Sequence, residues 1–148
     1  MSDKLIKELN KFLRGIYMGI ATFRDYREKA QNEELKAELD EIIASFKVHQ
    51  DAITHRIENL GGAPVDSLGV IGEAAEFWEK LKLISVDSDL EVCDHAIKAI
   101  NMGIKSGSEF VYENDSKIED SIMNDIKGVV NDYDTHLMKI EKIREKFI

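Results

Sequence analysis

The sequence predicts an all-α protein: an antiparallel four-helix bundle, made of two repeated helical hairpins joined by a long crossover that carries a short helix. Three observations predict it. Apolar residues recur at helical spacing over four long stretches. One proline, Pro64, stands among 148 residues, so the main helix breaker is nearly absent. The two halves of the chain also carry the same order of residue types.

The first helix is expected over about residues 2–30, with Ser2 as its N-cap. Its stripe is Leu5, Leu9, Phe12 or Leu13, Ile16, Ile20 and Phe23, with Lys4, Lys7, Glu8 and Lys11 on the opposite face. The second is expected over 32–60. Asn32 caps it, its stripe runs Leu35, Leu39, Ile42, Phe46, His49, Ile53 and Ile57, and Gly61-Gly62-Ala63-Pro64 ends it. The third is expected over 88–113, opened by the capping box Ser88-Asp-Leu-Glu91 and striped by Leu90, Cys93, Ile97, Ile100 and Ile104. The fourth is expected over 116–146, opened by a second box, Ser116-Lys-Ile-Glu119, and striped by Ile118, Ile122, Ile126, Val129, Tyr133, His136 or Leu137, Ile140 and Ile143. Each helix is then about 40 Å long at 1.5 Å per residue. Helices 1 and 2, and helices 3 and 4, are linked by so few residues that they must be antiparallel neighbours. Residues 61–87 form the crossover. Ile71, Ala74, Ala75, Phe77, Trp78 and Leu81 give it a short helical pattern, with Trp78 expected to seal an end or flank. No linker or second domain is evident, so 1–148 reads as one domain.

The repeat is explicit. Arg14-Gly-Ile-Tyr-Met-Gly-Ile20 matches Lys98-Ala-Ile-Asn-Met-Gly-Ile104 at an offset of 84 residues. Ile42-Ile-x-x-Phe46-x-x-His49-x-x-x-Ile53 matches Val129-Val-x-x-Tyr133-x-x-His136-x-x-x-Ile140 at an offset of 87. Helix 1 thus corresponds to helix 3, and helix 2 to helix 4. Glycine costs roughly 1 kcal/mol against alanine inside a helix. Gly15, Gly19, Ala99 and Gly103 therefore call for a reason, and close approach of helices supplies one. Met18 and Met102 are expected as core or near-core fillers.

Composition excludes several classes. The 29 acidic against 20 basic residues give a net charge of -9, which opposes nucleic-acid binding. No apolar run is long enough to span a membrane. The N-terminal segment is charged and lacks a signal-peptide core, so the expected location is cytoplasmic. The lone Cys93 cannot form an intrachain disulfide. No phosphate loop, Cys-x-x-Cys, Gly-x-Ser-x-Gly or His-Glu-x-x-His is present, so no catalytic residue is assigned.

The strings Leu9-Asn-Lys-Phe-Leu-Arg-Gly-Ile-Tyr-Met-Gly-Ile20, Asn59-Leu-Gly-Gly-Ala-Pro-Val-Asp66 and Asn101-Met-Gly-Ile-Lys105 carry a resemblance. The chain resembles a family of bacterial ferritin-like four-helix-bundle proteins with no assigned function. The resemblance implies a mid-bundle di-iron site, with one Glu from each of two helices and a Glu-x-x-His from each of the other two. Carried onto this sequence, the lone carboxylates fall near Ile16 and Ile100, and the pairs at Phe46-x-x-His49 and Tyr133-x-x-His136. Both histidines are present and all four carboxylates are replaced.

Two readings of His49 and His136 stay open. In one they are core-edge histidines, hydrogen-bonded to a hydroxyl or carbonyl, with Tyr133 a candidate partner. In the other they ligate iron, zinc or haem, helped by Asp94 at the core border or by Asp51, Asp132 and Asp134 on the water side. Cys93 reads as a small buried hydrophobe, and His95 and His55 as solvated. Arg24 and Arg27 read as snorkelling or paired, and the remaining Glu and Lys as solvated faces. The function expected is a non-catalytic binding or structural module without cofactor. The alternative is a metal- or haem-binding protein in metal storage or oxidative-stress defence. A homodimer or a protein partner is the expected kind of association, with Trp78 or Phe77 marking the patch.

Overall fold

A computed structural model of the chain describes residues 2–66 and 86–148. Four long helices form: α1 (Ser2–Lys29), α2 (Glu33–Asn59), α3 (Asp89–Asn114) and α4 (Asp120–Arg144), the last followed by a 3-10 turn, Glu145–Phe147. No strand occurs among the described residues. The expected crossover helix and Trp78 lie outside the described residues, as does the side chain of Ser2.

The helix ends follow local chemistry at most of the expected places. Asn32 Oδ1 accepts the Leu35 N–H at 2.9 Å, which caps α2. The end of α2 is a Schellman closure: Gly61 has φ +82, its N–H donates to Glu58 O, and the Gly62 N–H donates to Ile57 O. Ser88 caps α3 by accepting the Glu91 N–H. Glu91 reaches back to the Asp87 N–H, one residue before the position a capping box would use. The second expected box does not form. Ser116 adopts a left-handed φ of 62, which turns the chain out of helix, and α4 starts only at Asp120 without a side-chain cap. The five residues 115–119 make the reversal here, and the left-handed turn within them takes Ser116.

All four adjacent pairs are antiparallel. Tyr17 meets Gln50 and Arg27 meets Asp40 across α1–α2. Phe12 meets Phe110 and Tyr26 meets His95 across α1–α3. Asp94 meets Arg144 across α3–α4. Across α2–α4, Glu34 pairs with Lys146, Glu41 with Lys139 at 3.6 Å, His49 with Asp132 at 2.7 Å and Arg56 with Asp125 at 2.7 Å. The order around the bundle is α1, α2, α4, α3, so α2 and α3 are diagonal and parallel. The connection from Asp66 to Val86 therefore passes from one end of the bundle to the other. Its two ends are anchored: Asn10 holds Ala63 O and Val65 N, and the Asp89 carboxylate accepts the N–H groups of Gln31 and Asn32.

The core is one apolar column that includes Leu9, Leu13, Leu35, Leu39, Ile53, Ile57, Ile126 and Ile140. Each such side chain contributes roughly 1.5–3 kcal/mol when buried. At mid-height aromatic rings take over. Phe23, Phe46 and Tyr133 stack edge to face with centroids 5.3 Å apart at each step. Two of the expected close approaches are real. A Cβ at Gly19 would lie 3.2 Å from the Phe46 ring, and one at Gly103 would lie 2.7 Å from the Tyr133 ring. Gly107 is a third, with Val130 at 2.5 Å. Gly15 is not: a Cβ there would meet nothing within 4 Å. Met102, at 63% exposed, is not even a near-core filler, whereas Met18 is half-buried beside the core. They stand on the outward side of the α1–α3 seam.

The glycines therefore separate by environment. Gly103→Ala is expected to destabilise by about 1–3 kcal/mol, because its Cβ would lie 2.7 Å from the Tyr133 ring and force that ring to shift. Gly15→Ala is expected to stabilise by about 0.5–1 kcal/mol through helix propensity alone. Urea unfolding of the two variants beside the wild type checks both signs.

Candidate functional site

The four positions onto which the resemblance maps carboxylates hold side chains that are all buried. Ile16 and Ile100 are 2% exposed, and Phe46 and Tyr133 are buried against one another. Burial, with Asp132 nearby, raises the Tyr133 phenol well above its ordinary value, so it stays protonated. Phe46 sits over Gly19 and Tyr133 over Gly103.

His49 and His136 lie on the facing sides of α2 and α4, and the fold surrounds them differently. His49 Nε2 is 2.7 Å from Asp132 Oδ2 and 3.4 Å from Ser45 Oγ. Asp132 is thus a partner of His49, although it was expected on the water side. Tyr133 touches the His49 ring edge on, with centroids 6.4 Å apart, and is not its hydrogen-bond partner. His136 is buried, and neither of its ring nitrogens has a hydrogen-bond partner. Its Nδ1 lies 3.7 Å from Oε1 of Glu38, too far for a hydrogen bond.

Glu38 is the residue the sequence reading passed over. It sits among Leu35, Leu39 and Ile42 on the buried side of α2, with 8% exposure. Its spacing places it on the apolar stripe, and that was the available signal. Burial pushes its carboxyl up to about 7, Glu41 adding to the rise and Lys139 opposing it. Burial likewise lowers the His136 imidazole, reinforced by Lys139 and His49 and opposed by Asp132 and Glu41.

The other candidates disperse. Asp94 is taken by Arg144. Asp51 and Asp134 are exposed. Cys93 is fully buried, and burial pushes its thiol up to about 11, so it is inert at neutral pH. His55 is exposed beside Glu58. Arg27 pairs with Asp40. His95 is not simply solvated: its ring lies 6.4 Å from that of Tyr26 and lines a groove. Among the described residues, no three His, Cys, Asp or Glu side chains converge so as to hold a metal ion.

That groove runs along the α1–α3 seam and encloses about 350 Å³. Gly15, Gly19, Ala99 and Gly103 leave it open, Met18 and Met102 form its lips, and the rings of Phe46 and Tyr133 reach its floor. The size suits a small molecule, and the lining is apolar in the manner of ligand clefts. Small residues at the seam had been read only as a means of helix approach. Which way a bare glycine face opens depends on the neighbouring helix, so the groove had no sequence signature.

Known proteins bear on this arrangement. The profile of a family described as a domain of unknown function (DUF2383) matches residues 4–112. No curated protein matches the sequence. A dodecameric thioferritin, the bacterioferritin-related protein from Bacteroides fragilis, superposes with a TM-score of 0.81 at 15% identity, over 99% of this chain and 88% of that one. A ferritin-like, diiron-carboxylate protein from Bacillus anthracis superposes with a TM-score of 0.73 at 15% identity, over 97% of this chain and 96% of that one. A two-domain protein from Anabaena variabilis contains DJ-1/ThiJ/PfpI-like and ferritin-like domains. It superposes with a TM-score of 0.76 at 18% identity, over 99% of this chain, which spans 37% of that protein's length. The fold is ferritin-like. No helix among the described residues is long and apolar enough to cross a membrane.

The buried acid and imidazole set opposite pH dependences. Glu38 holds its proton more tightly in the fold, so its contribution is complete below about 4.5 and is lost as pH rises through about 7. His136, with a lowered value, contributes above its ordinary 6.5 and loses that contribution as pH falls. Glu38→Gln is therefore expected to raise stability at pH 8 by on the order of 2 kcal/mol, with the gain fading as pH falls from about 7 to about 4.5. Unfolding curves of variant and wild type across that range measure it.

Proposed function

We propose that this chain, which belongs to the DUF2383 family and has a ferritin-like fold, is a non-catalytic binding module with its binding surface in the α1–α3 groove. The observation that carries the reading is the filled midplane. Ile16, Ile100, Phe46 and Tyr133 occupy the positions at which the resemblance calls for carboxylates, and all four are buried. Two iron ions placed there would meet no compensating negative charge. A di-iron centre does not fit these residues, and no redox step is assigned to them. His49 and His136 each face a separate carboxylate, Asp132 and Glu38, which supports a structural role for both.

The same glycine-over-ring packing in both halves supports the duplication of one hairpin. The whole chain, 1–148, is read as one such bundle. Assembly with further copies is part of this reading, in line with the dodecamer named for the Bacteroides protein.

A second reading keeps His49 and His136 as ligands for iron, zinc or haem, with a role in metal storage or oxidative-stress defence. One observation favours it: both nitrogens of His136 are buried and unpartnered, as a ligating imidazole lacking its metal would be.

Elemental analysis and an absorbance spectrum separate the two, on protein purified without a metal-binding tag and after anaerobic addition of ferrous iron. The binding-module reading expects substoichiometric metal, a colourless protein and no iron-dependent signal. Near-stoichiometric metal that disappears in His49→Ala plus His136→Ala, with helicity retained, would establish the second.

A further inference from the structure

The α1–α3 groove has a polarity that names a class of ligand. Among the described residues, its ionisable side chains other than tyrosine are Lys98 and His95, one turn apart on α3, and no carboxylate lines it. This stands out in a chain of net charge -9. Lys98 also has no ion-pair partner among the described residues. Asp94, one turn before it and the natural i,i+4 partner, is held by Arg144 of α4 instead. Beyond Lys98 toward Ser106, the groove is lined by Ala99, Met102 and Gly103, and on α1 by Gly15, Met18 and Phe12. From His95 to Ser106 the α3 wall measures about 16 Å at 1.5 Å per residue. One end therefore offers an ammonium group, and the remainder a methionine-flanked apolar trough that adapts its shape to what lies in it. Met102, exposed at 63%, is among the large apolar side chains left facing water at this seam.

We propose that this groove binds an amphiphile carrying one carboxylate, a medium-chain fatty acid in its simplest form, with the alkyl chain over Gly15 and between Met18 and Met102, and the carboxylate at Lys98. The proposal rests on the reading of the groove as the binding surface. Complementary charge selects the head group, because an anion meets an ammonium that no described carboxylate pairs with, and no described carboxylate repels it. The open position at Gly15 selects the tail, because a Cβ there would meet nothing within 4 Å and methylene groups can lie directly against the helix backbone, beside the Met18 and Met102 side chains. Thr22, Ser106 and His95 add polar atoms at the groove wall.

Calorimetric titration of the full chain with decanoate below its micellar concentration, and with decanol as the uncharged control, tests it. Two variants accompany the wild type. Gly15→Leu fills the trough at a position where a Cβ meets nothing, so the helix tolerates it. Lys98→Glu inverts the head-group charge. The expected result is saturable decanoate binding, about tenfold weaker in Lys98→Glu and lost in Gly15→Leu, with decanol insensitive to the charge change. Decanol binding equally well while Lys98→Glu leaves decanoate unchanged would overturn the carboxylate class and leave the groove as the binding surface. Binding undiminished in Gly15→Leu would overturn both. No binding by a folded wild type would overturn the ligand class. If light scattering then showed a dimer that Gly15→Leu dissociates, the groove would be an interface between copies.

Discussion

The absence of a side chain at Gly19 and Gly103 is the constraint from which the rest of this bundle follows. Each glycine lets an aromatic ring from the neighbouring hairpin helix lie against helix backbone, Phe46 on α1 and Tyr133 on α3. The two rings then meet edge to face at 5.3 Å and close the centre. Aromatic contacts of this kind add roughly 0.5–1.5 kcal/mol beyond the area they bury. The open groove lies on the other side of the same rings, which reach its floor, with Gly15, where a Cβ would meet nothing, in its wall.

Orientation is enforced on the other side of the bundle by charge. Asp125, Asp132, Lys139 and Lys146 recur every seven residues, facing Arg56, His49, Glu41 and Glu34 of α2. Both helices place acids toward their N-terminal halves and bases toward their C-terminal halves, which also suits their dipoles. Laid antiparallel, each rung joins opposite charges. Laid parallel, acids would meet acids. Exposed pairs contribute little individually, about 0–1 kcal/mol. Their value lies in excluding the wrong register and direction.

Between these two features sits the pair that stability alone does not explain. Glu38 and His136 are both buried and neither is fully hydrogen-bonded. Burial drives each toward its neutral form, the acid upward and the imidazole downward. The pair therefore resists ionisation from both directions of pH. The asymmetry with His49, which has a close and half-exposed acid in Asp132, means that two histidines at matching sequence positions have different electrostatic lives.

The helices, their antiparallel hairpins, the Asn32 and Ser88 caps, the Gly61 turn and the apolar midplane were legible in the sequence. Each depends on residues near one another along the chain or on helical periodicity, and both are local properties. Ser116 was misread because a motif for starting helices sat where the chain needed a reversal. The ferritin-like order was also readable, from a long connection between two hairpins. The rest was decided in three dimensions. Asp132 reaches His49 only because α4 lies antiparallel on α2 at that register. Glu38 is buried only because α4 covers its side of the helix. Gly15 stays open while Gly19 and Gly103 are filled, and Asp94 pairs with Arg144 and not with Lys98, one turn along its own helix. Sequence determined which residues must be covered; only the placement of one helix against another decided what covers them and what was left bare.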